Sequence, residues 1–177
     1  MTRPGTVQVG IMVLTLTTHA IVGAAIACVM PPHPYLAISS AFASHFLLDA
    51  IPHWDYPIRS DAVKPGICAA IKFDGALLAD VLAISADALL GLSLALVLLA
   101  RSNNFSVVFC AAGAAIFSDA LQFAYKTFPR EPLISLQGFH SWIHSKRDLR
   151  TRPVLGLATQ IGLIFFVVLI VRTFASS

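Results

Sequence analysis

The amino-acid sequence predicts an all-α fold, a polytopic bundle of about five membrane helices that forms a single domain over residues 1–177. Of the 177 residues, 57% are hydrophobic and only 12% are charged, whereas soluble domains carry about a quarter charged residues. Four apolar stretches are also close to or longer than the roughly 18 residues that mark a bilayer-spanning helix. They run from Val7 to Met30, Ile71 to Ala100, Phe105 to Phe128 and Val154 to Val171.

A fifth span is predicted from Tyr35 to Ile51, although this stretch is shorter and more polar than the other four. It contains no basic residue, and the prolines at positions 31, 32 and 34 interrupt the chain directly before it. Two longer connections then remain, from Pro52 to Pro65 and from Pro129 to Pro153.

The basic residues predict how the bundle is oriented. With a cytoplasmic amino terminus, all of the 12 lysines and arginines except Arg101 and Arg172 lie inside, which is the positive-inside pattern. We therefore expect a protein of the bacterial cytoplasmic membrane with its carboxyl terminus outside. The net charge of +3 does not require nucleic acid, because the basic run from Lys146 to Arg152 precedes a span and can meet anionic lipid headgroups.

Ionisable side chains lie inside or at the edge of the apolar stretches, where an unpaired charge costs several kcal/mol. Any one of them could serve as a structural hydrogen-bonding partner between helices. Seven such residues in a chain with only nine acidic residues favour a shared site, and most of them fall in the predicted cytoplasmic half. They are His19, His45, Asp49, Asp74, Asp80, Asp87 and Asp119.

The sharpest local pattern is the stretch SHFLLDAIPHWD. Helical spacing places His45 and Asp49 one turn apart on the same face, and Pro52 then ends the helix so that His53 and Asp55 follow it. Imidazole and carboxylate together suit zinc, manganese or iron better than calcium, which prefers oxygen ligands alone. The pattern predicts a divalent metal site, with zinc as the first choice.

On the third predicted span, Asp80 and Asp87 share a stripe with Gly91, which would let another helix approach closely. A proton or ion relay also spaces acids in this way, so Asp87 is open to roles as ligand, relay or structural partner. The predicted metal set consists of His45, Asp49 and Asp80 as direct ligands, His19 as a fourth and Asp119 as an orienting partner.

The second connection contains GFHSWIHSK, in which His140 and His144 are four residues apart. A helix there would place Phe139, Trp142 and Ile143 on another face, as in an interfacial amphipathic helix whose imidazoles turn toward the bundle. The alternative is a surface helix anchored by its tryptophan, with solvated histidines.

Three motifs together resemble one family. The stretches THAIVGAAIA, DAIPHWD and FHSWIHS resemble the small bacterial membrane-bound metal-dependent hydrolases, which are related to zinc-dependent phospholipases C. The chain departs from that family at Ser141, where an arginine is usual, and at His53, where the family has an aspartate. The resemblance implies metal or catalytic roles for His19, Asp55, His140 and His144.

The first functional hypothesis is therefore a metal-dependent hydrolase acting on a phosphoester or similar bond of a membrane lipid. In this hypothesis the metal lowers the pKa of a bound water, Asp55 is the general base, and His140 is the general acid or a metal ligand. The remaining predicted residues lie at headgroup level: His53 and His144 as catalytic groups, and Lys146, Arg147 and Arg150 as headgroup contacts.

Two other functions remain open from the sequence. A transporter or binding protein for a divalent metal or protons needs a polar path to the far side, yet the outer halves of the spans contain almost no ionisable residue. An iron-dependent lipid oxidase needs more closely spaced histidines than the six that are present. The substrate, the bond cleaved, the number of metal ions and the oligomeric state are not specified by the sequence.

Overall fold

The structure is a computed structural model of the chain and describes residues 15–54, 58–60, 72–145, 149 and 152–174. These residues form helices and no strand, which confirms the all-α class. The α5 helix also confirms that the second connection contains a helix. In chain order the helices are α1 (Thr15–Val29), α2 (Pro34–Asp49), α3 (Gly75–Leu99), α4 (Phe105–Thr127), α5 (Leu133–Ile143) and α6 (Pro153–Phe174).

Three of the described helices, α3, α4 and α6, are long and apolar enough to cross a membrane. They indicate a membrane protein, but they are fewer than the five spans predicted. The described part of α1 is apolar and has 15 residues, and α2 has 16. At 1.5 Å per residue, helices of this length reach about 24 Å, which is short of the roughly 30 Å hydrocarbon core. The spans predicted at α1 and α2 therefore remain predictions.

The α1 helix lies at the centre of the bundle, in contact with α2, α3, α4 and α6. Its interior is built from small residues, which allow backbones to approach closely where apolar surroundings supply little hydrophobic driving force. A Cβ at Gly23 would lie 2.7 Å from the carbonyl oxygen of Ala111, and a Cβ at Gly91 would lie 2.7 Å from the Cα of Thr17. The close helix approach predicted at Gly91 is thus confirmed, and α1 is the helix that approaches.

Large apolar side chains cover the outside of the bundle. Many remain exposed along α3 and α6, an arrangement unusual for a soluble monomer but suited to lipid contact. Examples are Leu82, Leu89, Val97, Phe165 and Phe166.

One end of the bundle gathers the start of α1, the ends of α2 and α4, and α5. The segment after α2 is fastened there, because the carbonyl of Trp54 accepts hydrogen bonds from Thr15 Oγ1 at 3.0 Å and Gln160 Nε2 at 3.2 Å. Helix α6 also packs closely against this segment, since a Cβ at Gly156 would lie 2.5 Å from the Cβ of Trp54. The histidines of α1, α2 and α5 meet at this end.

Candidate metal centre

Asp49, the last residue of α2, is the centre of a cluster of imidazole rings. Its Oδ2 lies 2.5 Å from Nε2 of His140 and 3.0 Å from Nε2 of His45, and its Oδ1 lies 3.2 Å from Nε2 of His19. All four residues are buried, with no more than 4% of each exposed. The three imidazoles come from α1, α2 and α5, and each presents its Nε2 to this one carboxylate.

The local sequence accounts for much of this convergence. His45 and Asp49 are one helical turn apart, so they face the same point as predicted. Within α5, His140 is the buried residue, whereas Trp142 is 76% exposed, which confirms the amphipathic helix with an inward imidazole. The main-chain N–H of Ser145 also donates to the carbonyl of Asp49 at 2.7 Å, which joins the segment after α5 to the end of α2.

The hydrogen-bond partner of His45 fixes the position of its ring proton. Nδ1 lies 2.8 Å from the carbonyl oxygen of Ala115, and because a carbonyl only accepts, Nδ1 carries the hydrogen. In a neutral ring Nε2 then carries a lone pair. This buried Nε2 makes no hydrogen bond with the described residues, although it faces Asp49 at 3.0 Å and Asp119 at 3.6 Å. A lone pair turned toward two carboxylates needs a cation between them, either a proton or a metal ion.

The donor set around Asp49 fits a divalent metal ion. One ligand atom from each of His45, Asp49 and His140 lies within 4.8 Å of the other two, and nitrogen with carboxylate oxygen suits zinc, manganese or iron. Two ligands about 2.1 Å from a tetrahedral zinc ion stand roughly 3.4 Å apart. Nε2 of His45 and Nε2 of His140, at 3.0 and 2.5 Å from Asp49 Oδ2, would therefore each have to move away from that oxygen by less than about 1 Å.

A second group of potential ligands overlaps the first. One atom each of Asp49, His53 and His144 also lies within 4.8 Å of the others. Both of these histidines are half-buried, and their ring centroids are 5.3 Å apart. Asp49 belongs to both groups, and the His144 ring lies 5.8 Å from that of His140, so the two groups are neighbours.

Two further predicted residues join the cluster from α1 and α4. The ring of His19 stacks on that of His45 with centroids 4.3 Å apart, so His19 lies at this site. Asp119 Oδ1 accepts a hydrogen bond from Gln122 Nε2 at 2.8 Å, and a third of the Asp119 side chain is exposed. This placement supports the orienting role of Asp119, which stays a prediction.

Asp80, which the sequence predicts as a direct ligand, lies outside both ligand groups found among the described residues. Its carboxylate accepts hydrogen bonds from the main-chain N–H groups of Arg59 at 3.1 Å and Ser60 at 2.7 Å. The main-chain amides thus engage both carboxylate oxygens. Asp80 therefore fastens the segment 58–60 to α3.

Asp87 is also occupied by hydrogen-bond donors. Its carboxylate accepts from the main-chain N–H of Leu16 at 2.8 Å and from the hydroxyl of Thr17 at 2.6 Å. Of the three roles left open for Asp87, the structure supports the structural one. Asp74 is likewise structural, since it caps the start of α3 by accepting from the N–H of Leu77 at 2.9 Å.

Some parts of the site could not be found from the sequence. Ala115 contributes only a main-chain carbonyl, and no side-chain chemistry marks it.

Four residues predicted at the site lie outside the described residues, namely Asp55, Lys146, Arg147 and Arg150.

Comparisons of the chain with protein-family models, with curated proteins and with solved structures gave no match. The resemblance to membrane-bound metal-dependent hydrolases therefore stays a prediction. The function is inferred from the chemistry of the Asp49 cluster.

Proposed function

We propose that this chain is a membrane metalloenzyme that hydrolyses a phosphoester or similar bond in a lipid or other substrate at the membrane interface. The observation that carries the proposal is the buried carboxylate of Asp49, which three imidazole nitrogens face at 2.5–3.2 Å. Buried histidines and acids within apolar helices are costly unless they are paired, and they mark functional sites by default.

In this proposal His45, Asp49 and His140 hold the metal, and His19 supplies a fourth donor. A bound divalent cation lowers the pKa of a water molecule and polarises a phosphoryl oxygen. The carbonyl of Ala115 holds the His45 ring in the tautomer that offers Nε2 to the centre, as main-chain partners of ligating histidines commonly do.

A general base must reach the attacking water and also exchange protons with solvent. Asp119, which the sequence predicts as an orienting partner, has both properties, because its Oδ1 lies 3.6 Å from Nε2 of His45 while a third of its side chain is exposed. Gln122 orients this carboxylate by donating to it. Asp55, the base predicted from the sequence, is the alternative candidate for this role.

The surroundings of the centre favour a substrate at the interface. Helix α5 buries His140 against the site, while Phe139 is 44% and Trp142 is 76% exposed. Aromatic residues on the outer face of an amphipathic helix suit the headgroup level of a bilayer. The basic residues Lys146, Arg147 and Arg150 follow shortly in the sequence, and they are proposed to attract an anionic headgroup.

The test is metal-dependent turnover of a panel of phospholipids by the protein purified in detergent. We expect the wild type to release product only with a divalent metal, and we expect His140→Ala to lower the rate at least about 100-fold. His33→Ala is the matched control, because His33 is exposed directly before α2 and should keep full activity. An absence of turnover across the panel, together with metal flux into liposomes containing the wild type, would replace this proposal with transport.

A further inference from the structure

We infer that the centre binds two cations that share the carboxylate of Asp49, with His53 and His144 as the ligands of the second. This inference depends on the proposed function, because it takes the first cation, between Asp49 and the buried histidines, as given. It also assigns His53 and His144 to metal binding, whereas the sequence predicts them as catalytic groups.

The two ligand groups are distinct except for one residue. His45 and His140 belong to the first group and His53 and His144 to the second, and each group meets the same 4.8 Å limit with Asp49. One carboxylate can bind a separate cation with each of its two oxygens. Paired metal ions in hydrolytic sites stand about 3.5–4 Å apart, which a shared carboxylate can span.

In both histidines of the second group, as in His45, Nδ1 lies near a main-chain carbonyl. Nδ1 of His53 lies 2.8 Å from the carbonyl of Ile51, and Nδ1 of His144 lies 3.2 Å from that of Ser145. Because carbonyls only accept, each Nδ1 carries its hydrogen and the neutral ring leaves Nε2 as the metal-binding nitrogen. Ligating histidines commonly donate their other nitrogen to a backbone carbonyl in this way.

Each of these histidines has a chain neighbour that is fixed by main-chain hydrogen bonds. The N–H of Ser145, next to His144, donates to the carbonyl of Asp49 at 2.7 Å. The carbonyl of Trp54, next to His53, accepts from Thr15 and Gln160. The second ligand pair is therefore held in place by hydrogen bonds to α1, α2 and α6, as a preorganised site requires.

The two sites differ in exposure, and this predicts unequal affinities. His45 and His140 are at most 3% exposed, whereas His53 and His144 are half-buried. Water competes more effectively with ligands that it can reach, so we expect the second cation to exchange more readily.

The test is a zinc titration of the metal-free protein in detergent at a pH where histidine is neutral, with bound metal measured by elemental analysis. We expect two equivalents in the wild type, one tight and one weaker. A His53→Ala, His144→Ala double variant should retain only the tight equivalent. The matched control, His33→Ala, should bind two.

Electron paramagnetic resonance of the manganese-loaded wild type gives an independent readout that needs no variant. Two ions that share a carboxylate should show spin coupling, and this coupling should vanish at one equivalent. One equivalent without coupling in the wild type would overturn the second cation and leave the proposed function intact. Two equivalents in both the wild type and the double variant would also overturn it, because the second ion would lie elsewhere. No bound metal at all would instead defeat the proposed function.

Discussion

Asp49 and Asp87 are both buried acids in apolar helices, yet their partners differ in kind. Asp87 accepts hydrogen bonds from a main-chain N–H and a hydroxyl of α1, which are donors that always carry a hydrogen. Asp49 faces imidazole nitrogens of three histidines, each of which can instead carry a lone pair. The type of partner, rather than burial, therefore separates a structural carboxylate from one suited to a metal.

The largest expected effect is stabilisation by zinc through the Asp49 site. At a free zinc concentration about 1,000 times the dissociation constant, binding stabilises the folded state by about 4 kcal/mol. We expect zinc to raise the melting temperature of the metal-free wild type and of Asp87→Asn, but not of Asp49→Asn. Thermal melts in detergent with and without zinc measure this, and an equal zinc response of Asp49→Asn would remove the contrast between the two acids.

The next effect is on stability in the absence of metal. Asp87→Ala leaves the main-chain N–H groups of Leu16 and Thr17 without the carboxylate that accepts from them, and each unsatisfied buried group costs about 1–3 kcal/mol. We expect a total loss of about 3 kcal/mol in the free energy of unfolding, seen as a lower melting temperature in chelator. The folded fraction should still bind zinc. Wild-type stability for Asp87→Ala would contradict its structural role.

The sequence predicts the placement of some of these residues but not the partners of others. Helical spacing was sufficient to place His45 and Asp49 together and to turn His140 inward from an amphipathic α5. Helical spacing does not identify the partners of Asp80 and Asp87, which are also buried acids on one face of a helix. Their partners are main-chain amides about 20 and 70 residues away, and helix periodicity specifies which face a residue occupies but not which segment packs against that face.

The same limit explains why the sequence does not reveal the group that orients His45. Asp119 could be recognised by its chemistry, but the ring of His45 is held by the carbonyl of Ala115. Every residue has a carbonyl, so only the packing of α2 against α4 selects this one.

A smaller effect on stability is expected at Gly91, where α1 packs closely against α3. Gly91→Ala would place a Cβ 2.7 Å from the Cα of Thr17, and such overpacking typically costs about 1–3 kcal/mol. Gly113→Ala is the matched control, because a Cβ there meets nothing within 4 Å, and it should be neutral or slightly stabilising. Melting temperatures of the two variants in chelator make the comparison, and equal values would show that the helix approach tolerates a methyl group.

The smallest effect, on zinc affinity, is expected at Gln122, which contacts Asp119 beside the Asp49 cluster. Gln122→Ala removes the amide that donates to Asp119 at 2.8 Å, so the carboxylate loses its orientation but keeps its charge. We expect zinc affinity to fall about tenfold, the lower end of the range for such outer partners. Competition with a fluorescent zinc chelator measures this change. Gln137→Ala on α5, whose amide donates to Ser141 instead, should leave the affinity unchanged.

The most direct test of the central claim, that Asp49 anchors a metal centre, is the metal content of the purified protein before and after chelation. Elemental analysis in detergent should find a transition metal bound to the wild type and to Asp87→Asn, lost with a strong chelator and restored by zinc. The Asp49→Asn variant should retain none after desalting. If zinc-loaded wild type retains no more metal than Asp49→Asn, the three imidazoles and the carboxylate form a proton-sharing network, and the metal centre is contradicted.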